Sequence, residues 1–193
     1  MPVEIVPARE EWSGEFDALA TGLRAALGPL VLRIDHIGST SVPGLPAKDV
    51  IDVQVIVGSL ESQPELKARL AAIGFTPRLG EGRLRDHVPA GWTGDEASWE
   101  KFLFGPPAGA RASNVHVRVA GSPNERYALL FRDFLRANGR ARELWGDFKR
   151  RLTEEVDGDR ELYVELKDPA TDVLIATAEV WARATAWSGP PSS

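Results

Sequence analysis

HIGSTSVPGLPAK at residues 36–48 and VIDVQVIV at residues 50–57 carry most of the fold information in this chain. The first stretch follows a β-branched run, LVLRIDHI at 30–37, and presents two glycines and three consecutive hydroxyl residues, Ser39, Thr40 and Ser41. Glycine lets a backbone turn sharply and approach a ligand closely, and the hydroxyls and N–H groups beside it then act as donors to an anion. In the second stretch a period of two places Val50, Asp52, Gln54 and Ile56 on one face and Ile51, Val53, Val55 and Val57 on the other. One face is therefore core, and the other carries adjacent polar groups. Strand, Gly-Ser loop and half-polar strand together predict a phosphate cradle set against a sheet. The plainer reading of the same loop is a turn whose Ser and Thr cap a short helix.

Working outward, residues 9–27 space Trp12, Phe16, Leu19, Leu23 and Leu27 as one helical face, and Gly28-Pro29 ends it. A second helix is predicted over 61–73. The Gly, Pro, Arg and Asp-rich composition of 75–98 predicts a strand start at Gly74-Phe75 followed by a long loop. Residues 99–104 and 114–120 read as strands joined by GPPAGARAS. In the latter, Val115, Val117 and Val119 turn to the core while Asn114, His116 and Arg118 share the opposite side, which Lys101 of the former strand joins. Ser122-Pro-Asn-Glu125 supplies an N-cap, a helix-start proline and a capping-box glutamate, followed by the stripe Tyr127, Leu130, Phe131 and Phe134. Another helix covers 140–155. The last begins near Asp159, is split or kinked at Asp168-Pro169, and continues a buried face through Val173, Thr177, Val180, Trp181 and Ala184. The prediction is an α+β (mixed α/β) fold with a mixed sheet of four or five strands and a helical C-terminal half, in a single domain over 1–187 with a disordered tail at 188–193.

A chain of 193 residues that is 43% hydrophobic suits one core. Its net charge of -5 gives no general attraction to nucleic acid or to anionic membranes, so a phosphate site must be local. The absence of cysteine excludes disulfides, thiolate metal sites and a cysteine nucleophile, and suits a reducing compartment. With neither a signal-peptide pattern nor a membrane-length apolar run, the expected location is the cytoplasm.

HIGSTSVPGL at 36–45, with Ala47-Lys48 and Ile51-Asp52 beyond it, resembles the signature of the GrpB family. His116-Val117, Phe131-Arg132-Asp133, Leu135-Arg136, Lys149, Tyr163 and Lys167 are similar to that family's later pattern, so the resemblance runs from about residue 4 to residue 185. It implies a nucleotidyltransferase-like fold, in which a Gly-Ser loop and an Asp-x-Asp/Glu strand hold a nucleotide triphosphate through divalent metal. Gly38-Ser39 and Asp52 match that arrangement. Gln54 stands where the second carboxylate belongs, and His116 and Arg118 where a third is expected; amide and imidazole do not neutralise paired Mg²⁺ ions as carboxylates do. The resemblance also implies an association with CoA metabolism, because related domains occur fused to dephospho-CoA kinase.

Three readings follow. In one, the chain is a nucleotidyl or phosphoryl transferase in which Asp52, Ser39 and His116 are catalytic, Asp52 holds Mg²⁺ or Mn²⁺, and Lys101 and Arg118 neutralise developing charge. In another, it binds a nucleotide, a CoA-like molecule or another phosphorylated ligand through Gly38, Ser39, Thr40, Ser41, Lys48, Gln54, Lys101 and Arg118. In the third it is a protein-interaction module, for which the sequence offers no distinctive apolar stripe. Charge counting adds a test of the first: Asp52→Asn weakens metal-dependent nucleotide binding and Gln54→Glu strengthens it. Among the remaining candidates, His87 reads as a loop-packing residue, His36 as an orienting or merely satisfied histidine, and Arg78, Arg83 and Arg85 as a phosphate clamp or solvated loop charges.

Overall fold

Two β-branched runs, 51–57 and 113–119, set the architecture, since each buries one face and must pair side by side to satisfy its backbone. In a computed structural model, which describes residues 3–61, 63–80 and 82–189, the chain runs α1 (Glu11–Leu27), β1 (Arg33–Ile37), β2 (Ile51–Val57), α2 (Gln63–Ala72), β3 (Thr76–Pro77), β4 (Leu84–Arg85), β5 (Glu100–Gly105), β6 (Ser113–Val119), α3 (Pro123–Ala137), α4 (Gly139–Glu155) and α5 (Arg160–Thr185). Short 3₁₀ turns occupy Gly28–Leu30, Ser39–Ser41 and Glu96–Trp99. The sheet order is β1-β2-β6-β5-β3, with β4 added on β5. β2 and β6 are parallel and the remaining pairs antiparallel, so the fold is mixed α/β.

Register places the functional face. Asp52 pairs with Asn114, Gln54 with His116 and Ile56 with Arg118 across β2 and β6, while Asp35 of β1 lies opposite Gln54. Ile51, Val53, Val55, Val115 and Val117 point to the other face, where they pack with Phe102 and Phe104 against Trp12, Leu23, Leu27, Leu66 and Leu70 of α1 and α2. A second apolar cluster joins Val42 and Leu45, beyond the Gly-Ser loop, to Leu130, Phe134, Trp145, Ile175 and Ala178 of the C-terminal helices. The helical half is thereby packed directly on the segment that leaves the loop. Among the described residues no helix is long and apolar enough to cross a membrane.

The differences from the sequence reading have local causes. The strand start expected at Gly74-Phe75 is β3, Thr76–Pro77, and the long loop after it contains a further two-residue strand, β4, so six strands form the sheet rather than four or five. Elements that short leave no periodicity to read. Helix α5 passes through Pro169 as one element and is capped by Asp159, whose Oδ1 accepts from the N–H groups of Glu161 and Leu162 at 2.9 and 3.0 Å. Its buried side is Thr171, Ile175, Ala178 and Ala182, which turns Val173 and Val180 outward, 70% and 58% exposed. The expectation of a buried face through those valines is thus corrected: the buried stripe runs through Thr171, Ile175, Ala178 and Ala182. The capping box at the start of α3 is also half formed. Ser122 gives its hydroxyl to Asn124 Oδ1 at 2.6 Å instead of capping, whereas Glu125 Oε2 accepts from Gly121 N at 2.6 Å. Residues 190–193 of the expected tail lie outside the described residues.

Candidate functional site

The Gly38–Ser41 loop is built so that its acceptors are used. Gly38 O accepts from Ser41 N at 3.3 Å and from Ser41 Oγ at 2.6 Å, and Ser39 O accepts from Val42 N at 3.1 Å. From α3, Arg132 donates to His36 O at 3.2 Å and Arg136 donates twice to Ser41 O, at 3.0 and 2.8 Å. The N–H groups of Ser39 and Thr40, in contrast, have no acceptor among the described residues. A loop with spent carbonyls and free N–H groups offers donors to whatever lies in front of it, the arrangement that anions seek. Gly38 makes the turn possible: its φ of 70° and ψ of -170° belong to a region that is essentially glycine-only.

His36 and Thr40 brace the loop from behind. His36 stacks on Phe16 of α1 with ring centroids 4.6 Å apart, and its Nε2 lies 3.0 Å from Thr40 Oγ1. Because the Thr40 hydroxyl is directed at Val50 O, the imidazole proton sits on Nε2. Burial, and then the Arg136 and Arg132 charges, push the His36 pKa down to about 4 against the opposing pull of Asp52. The ring is neutral near pH 7.

Across the sheet, the polar face is a continuous lattice and not a solvated surface. Arg33 Nε donates to Asp35 at 3.0 Å, Gln54 Nε2 to Asp35 Oδ2 at 3.1 Å, and Arg118 to Gln54 Oε1 at 2.5 Å. Gln54 is 0% exposed. Arg118 also holds Asp86 Oδ2, at 2.8 Å from NH2, and Asp86 Oδ1 accepts from Lys101, whose ammonium lies 3.0 Å from His116 Nδ1. Asn124 of α3 donates to Asp86 Oδ2 at 3.1 Å. Burial alone would raise the Asp86 pKa, but Arg118, Lys101 and His116 hold it well below the usual carboxylate range. A lysine donating to Nδ1 leaves the His116 proton on Nε2, which faces Asp52 Oδ1 at 3.6 Å. Burial and then Lys101 bring the His116 pKa down to about 4. Asp52 Oδ1 accepts from Asn114 Nδ2 at 2.8 Å; burial pushes the Asp52 pKa up, but His116, Asn114 and Lys101 outweigh it and the net shift is downward.

At the mouth of the loop stands a group of amines. Lys149 of α4, 3% exposed, donates to Ser39 Oγ at 2.9 Å and to Pro46 O at 2.5 Å. Lys48 lies 4.0 Å over the Tyr163 ring of α5. Neither has a carboxylate at ion-pair distance among the described residues. Burial, followed by Lys167 and Lys48, lowers the Lys149 pKa to about 7; burial, followed by Arg160 and Lys167, lowers that of Lys48 to about 8, against a small opposing pull from Asp52.

Residues 2–176 match the family described as GrpB protein. The chain belongs to the GrpB family. The GrpB structure from Enterococcus faecalis superposes with a TM-score of 0.72 at 26% identity, covering 96% of this chain and all of that one. A dephospho-CoA kinase of Mycobacterium tuberculosis is 38% identical over 203 aligned residues, which take in 96% of this chain and 48% of the kinase. The chain therefore spans about half the length of that relative. A cytoplasmic RNA terminal U-transferase shares the fold alone, at a TM-score of 0.50 and 14% identity over 75% of this chain and 41% of that protein. The nucleotidyltransferase-like fold of this GrpB-family chain follows from these likenesses.

Of the residues singled out by sequence, Gly38, Ser39, Thr40, Ser41, Lys48 and Asp52 converge around the loop. Lys101, Arg118 and Gln54 lie deeper, committed to Asp86 and Asp35. His87 packs against α5, its Nε2 2.9 Å from Asp172 Oδ1, and Arg83 and Arg85 pair with Glu61, Glu100 and Glu96 on the surface. Asp86, Asp35 and Asn124 escaped the sequence reading, since nothing in an irregular loop or in a lone strand aspartate announces a partner on another element, 32 residues away for Asp86 and Arg118, 38 for Asp86 and Asn124 and 19 for Asp35 and Gln54. The metal that the fold family employs is poorly served by this set. Gln54 spends both ends of its amide inside the lattice, His116 Nδ1 faces an ammonium, and Asp52 is left as the one carboxylate of its strand. Among the described residues no group of three or more His, Asp or Glu is arranged to hold a metal ion.

Proposed function

We propose that the chain binds a phosphorylated small molecule, a nucleotide or a CoA-like compound, with its phosphate at the Gly38–Ser41 loop and its charge met by Lys48 and Lys149. The observation that carries the reading is Lys149. A buried ammonium without a carboxylate partner is costly to maintain, and the cost is relieved when an anion arrives beside it. The N–H groups of Ser39 and Thr40, which have no acceptor among the described residues, adjoin the Ser39 hydroxyl that Lys149 contacts, and a bound phosphate completes their hydrogen bonding. Relatives named dephospho-CoA kinase contain a stretch like this chain over about half their length. CoA precursors are for that reason the first compounds to test.

The transferase reading, with Ser39, Asp52 and His116 acting around Mg²⁺ or Mn²⁺, draws support from the fold and less from the donor set described above. Binding is the function that the loop and the amines favour. A thermal-shift and equilibrium-binding screen of nucleotides, dephospho-CoA and other CoA precursors tests it, because a ligand that binds the native state raises the unfolding temperature. The expected result is stabilisation by a phosphorylated member of the set that disappears in Lys149→Met and Ser39→Ala. Equal shifts in wild type and both variants would remove the loop from the binding site.

A further inference from the structure

Three features of the residues around Asp52 point away from the cation that metal-dependent phosphate sites use. Gln54 is locked between Asp35 and Arg118, its amide nitrogen donating to the one and its oxygen accepting from the other, and as a neutral amide it brings no charge to a cation. The Nδ1 of His116 is occupied by Lys101, and its other nitrogen carries the proton toward Asp52. Asp52 itself lies against Gly38, where a Cβ on residue 38 would meet Oδ2 at 2.6 Å, and its Oδ1 already accepts from Asn114 at 2.8 Å. Beside Ser39, meanwhile, stand two amines with no carboxylate at ion-pair distance among the described residues, Lys149 on the Ser39 hydroxyl and Lys48 over Tyr163.

We infer that this site holds its phosphate without a divalent metal, the ammonium groups of Lys48 and Lys149 supplying the positive charge, and that Asp52 is a positioning residue for the loop instead of a metal ligand. The inference rests on the phosphate reading above and makes it more specific. An ammonium that donates to Ser39 Oγ is already within reach of any oxygen that replaces or joins that hydroxyl, and it needs no dehydration of a tightly hydrated cation to act. Asp52, in turn, stands beside an anion as a like charge. In a metal site its carboxylate attracts the ligand through the ion; in an amine site it repels the ligand weakly. The two arrangements therefore predict opposite signs for its removal.

Inorganic pyrophosphate is the probe, titrated calorimetrically into the full chain in EDTA and again in excess Mg²⁺. Binding in EDTA is expected, with a lower apparent affinity in Mg²⁺ because the cation competes with the lysines for the same oxygens. Asp52→Asn, which keeps an oxygen to accept from Asn114, is expected to tighten binding in EDTA by roughly two- to fivefold, the scale of a partly screened charge pair. Lys149→Met is expected to abolish it. Binding that appears only with Mg²⁺ and is lost in Asp52→Asn would overturn the inference and leave the phosphate reading standing. Absence of binding under both conditions would overturn the phosphate reading, and this inference with it.

Discussion

Gly38 and the Asp52 carboxylate touch: a Cβ added to residue 38 would lie 2.6 Å from Asp52 Oδ2 and 3.2 Å from its Cβ and Cγ. The contact fastens the turn after β1 onto the middle of the polar face, and it leaves room for glycine alone. Gly38→Ala meets both this clash and a backbone conformation closed to other residues. A loss of about 1–3 kcal/mol from the backbone alone is expected. Urea denaturation should show a lower midpoint with an unchanged slope; an undiminished midpoint would mean that the loop relaxes freely and is not held by Asp52.

Asp86 balances two buried cations, since Arg118 and Lys101 both turn to it. Removing it strands two cations, and Asp86→Ala is expected to cost about 3–5 kcal/mol. Its folded-state pKa is depressed, so the stabilisation is present above the unfolded carboxyl value and is lost as pH falls below it. The difference between wild type and Asp86→Asn should accordingly be constant through neutral pH and shrink in acid. A double-mutant cycle with Arg118→Met measures the coupling, and additive effects would show the pair to be independent.

What the sequence made legible was periodic. The helical stripe of α1, the alternation in β2 and β6, and the Gly-Ser turn between β1 and β2 each repeat or punctuate at a spacing that local geometry dictates, and each appears where expected. The lattice on the polar face has no such signal. Asp86 reaches Arg118 from 32 residues away and Lys149 reaches Ser39 from 110, contacts fixed by how the loop after β4 crosses β6 and how α4 docks on the turn, and not by any neighbour in sequence. Alternation gave the side on which Gln54 lies but could not say that this side is closed, since its cover comes from Asp86 of an irregular loop and from Asn124 and Glu125 of α3.

His36 offers a test of the bracing behind the loop. Its pKa of about 4 lies below the ordinary histidine value, so between those two limits the unfolded chain takes up a proton that the folded chain refuses. The contribution is fully present above the unfolded value and declines as pH falls, by about 1.4 kcal/mol per pH unit over the affected range. Denaturation curves collected from neutral to acid pH should show this slope in wild type and a reduced one in His36→Gln, which keeps a donor for Thr40. Equal slopes would mean that the imidazole is protonated in the folded protein. An NMR titration of the ring gives the same answer without unfolding.

Anion binding should itself depend on pH through the amines at the loop. Lys149, at about 7, and Lys48, at about 8, are flanked by the positive Lys167 and Arg160, packed beside Tyr163, and within the field of Asp52. An arriving phosphate stabilises the protonated form of each, so binding draws in protons and raises both values. Below neutrality both amines are charged in advance and the affinity is highest. As pH rises through these values the free site becomes neutral, and affinity should fall by as much as about tenfold per pH unit for each proton that must be recovered. Titrating pyrophosphate in buffers of different ionisation enthalpy counts those protons directly. A net uptake near pH 7.5 in the wild type assigns the titration to the loop amines, whereas a pH-independent affinity with no proton exchange would remove both ammonium groups from the site.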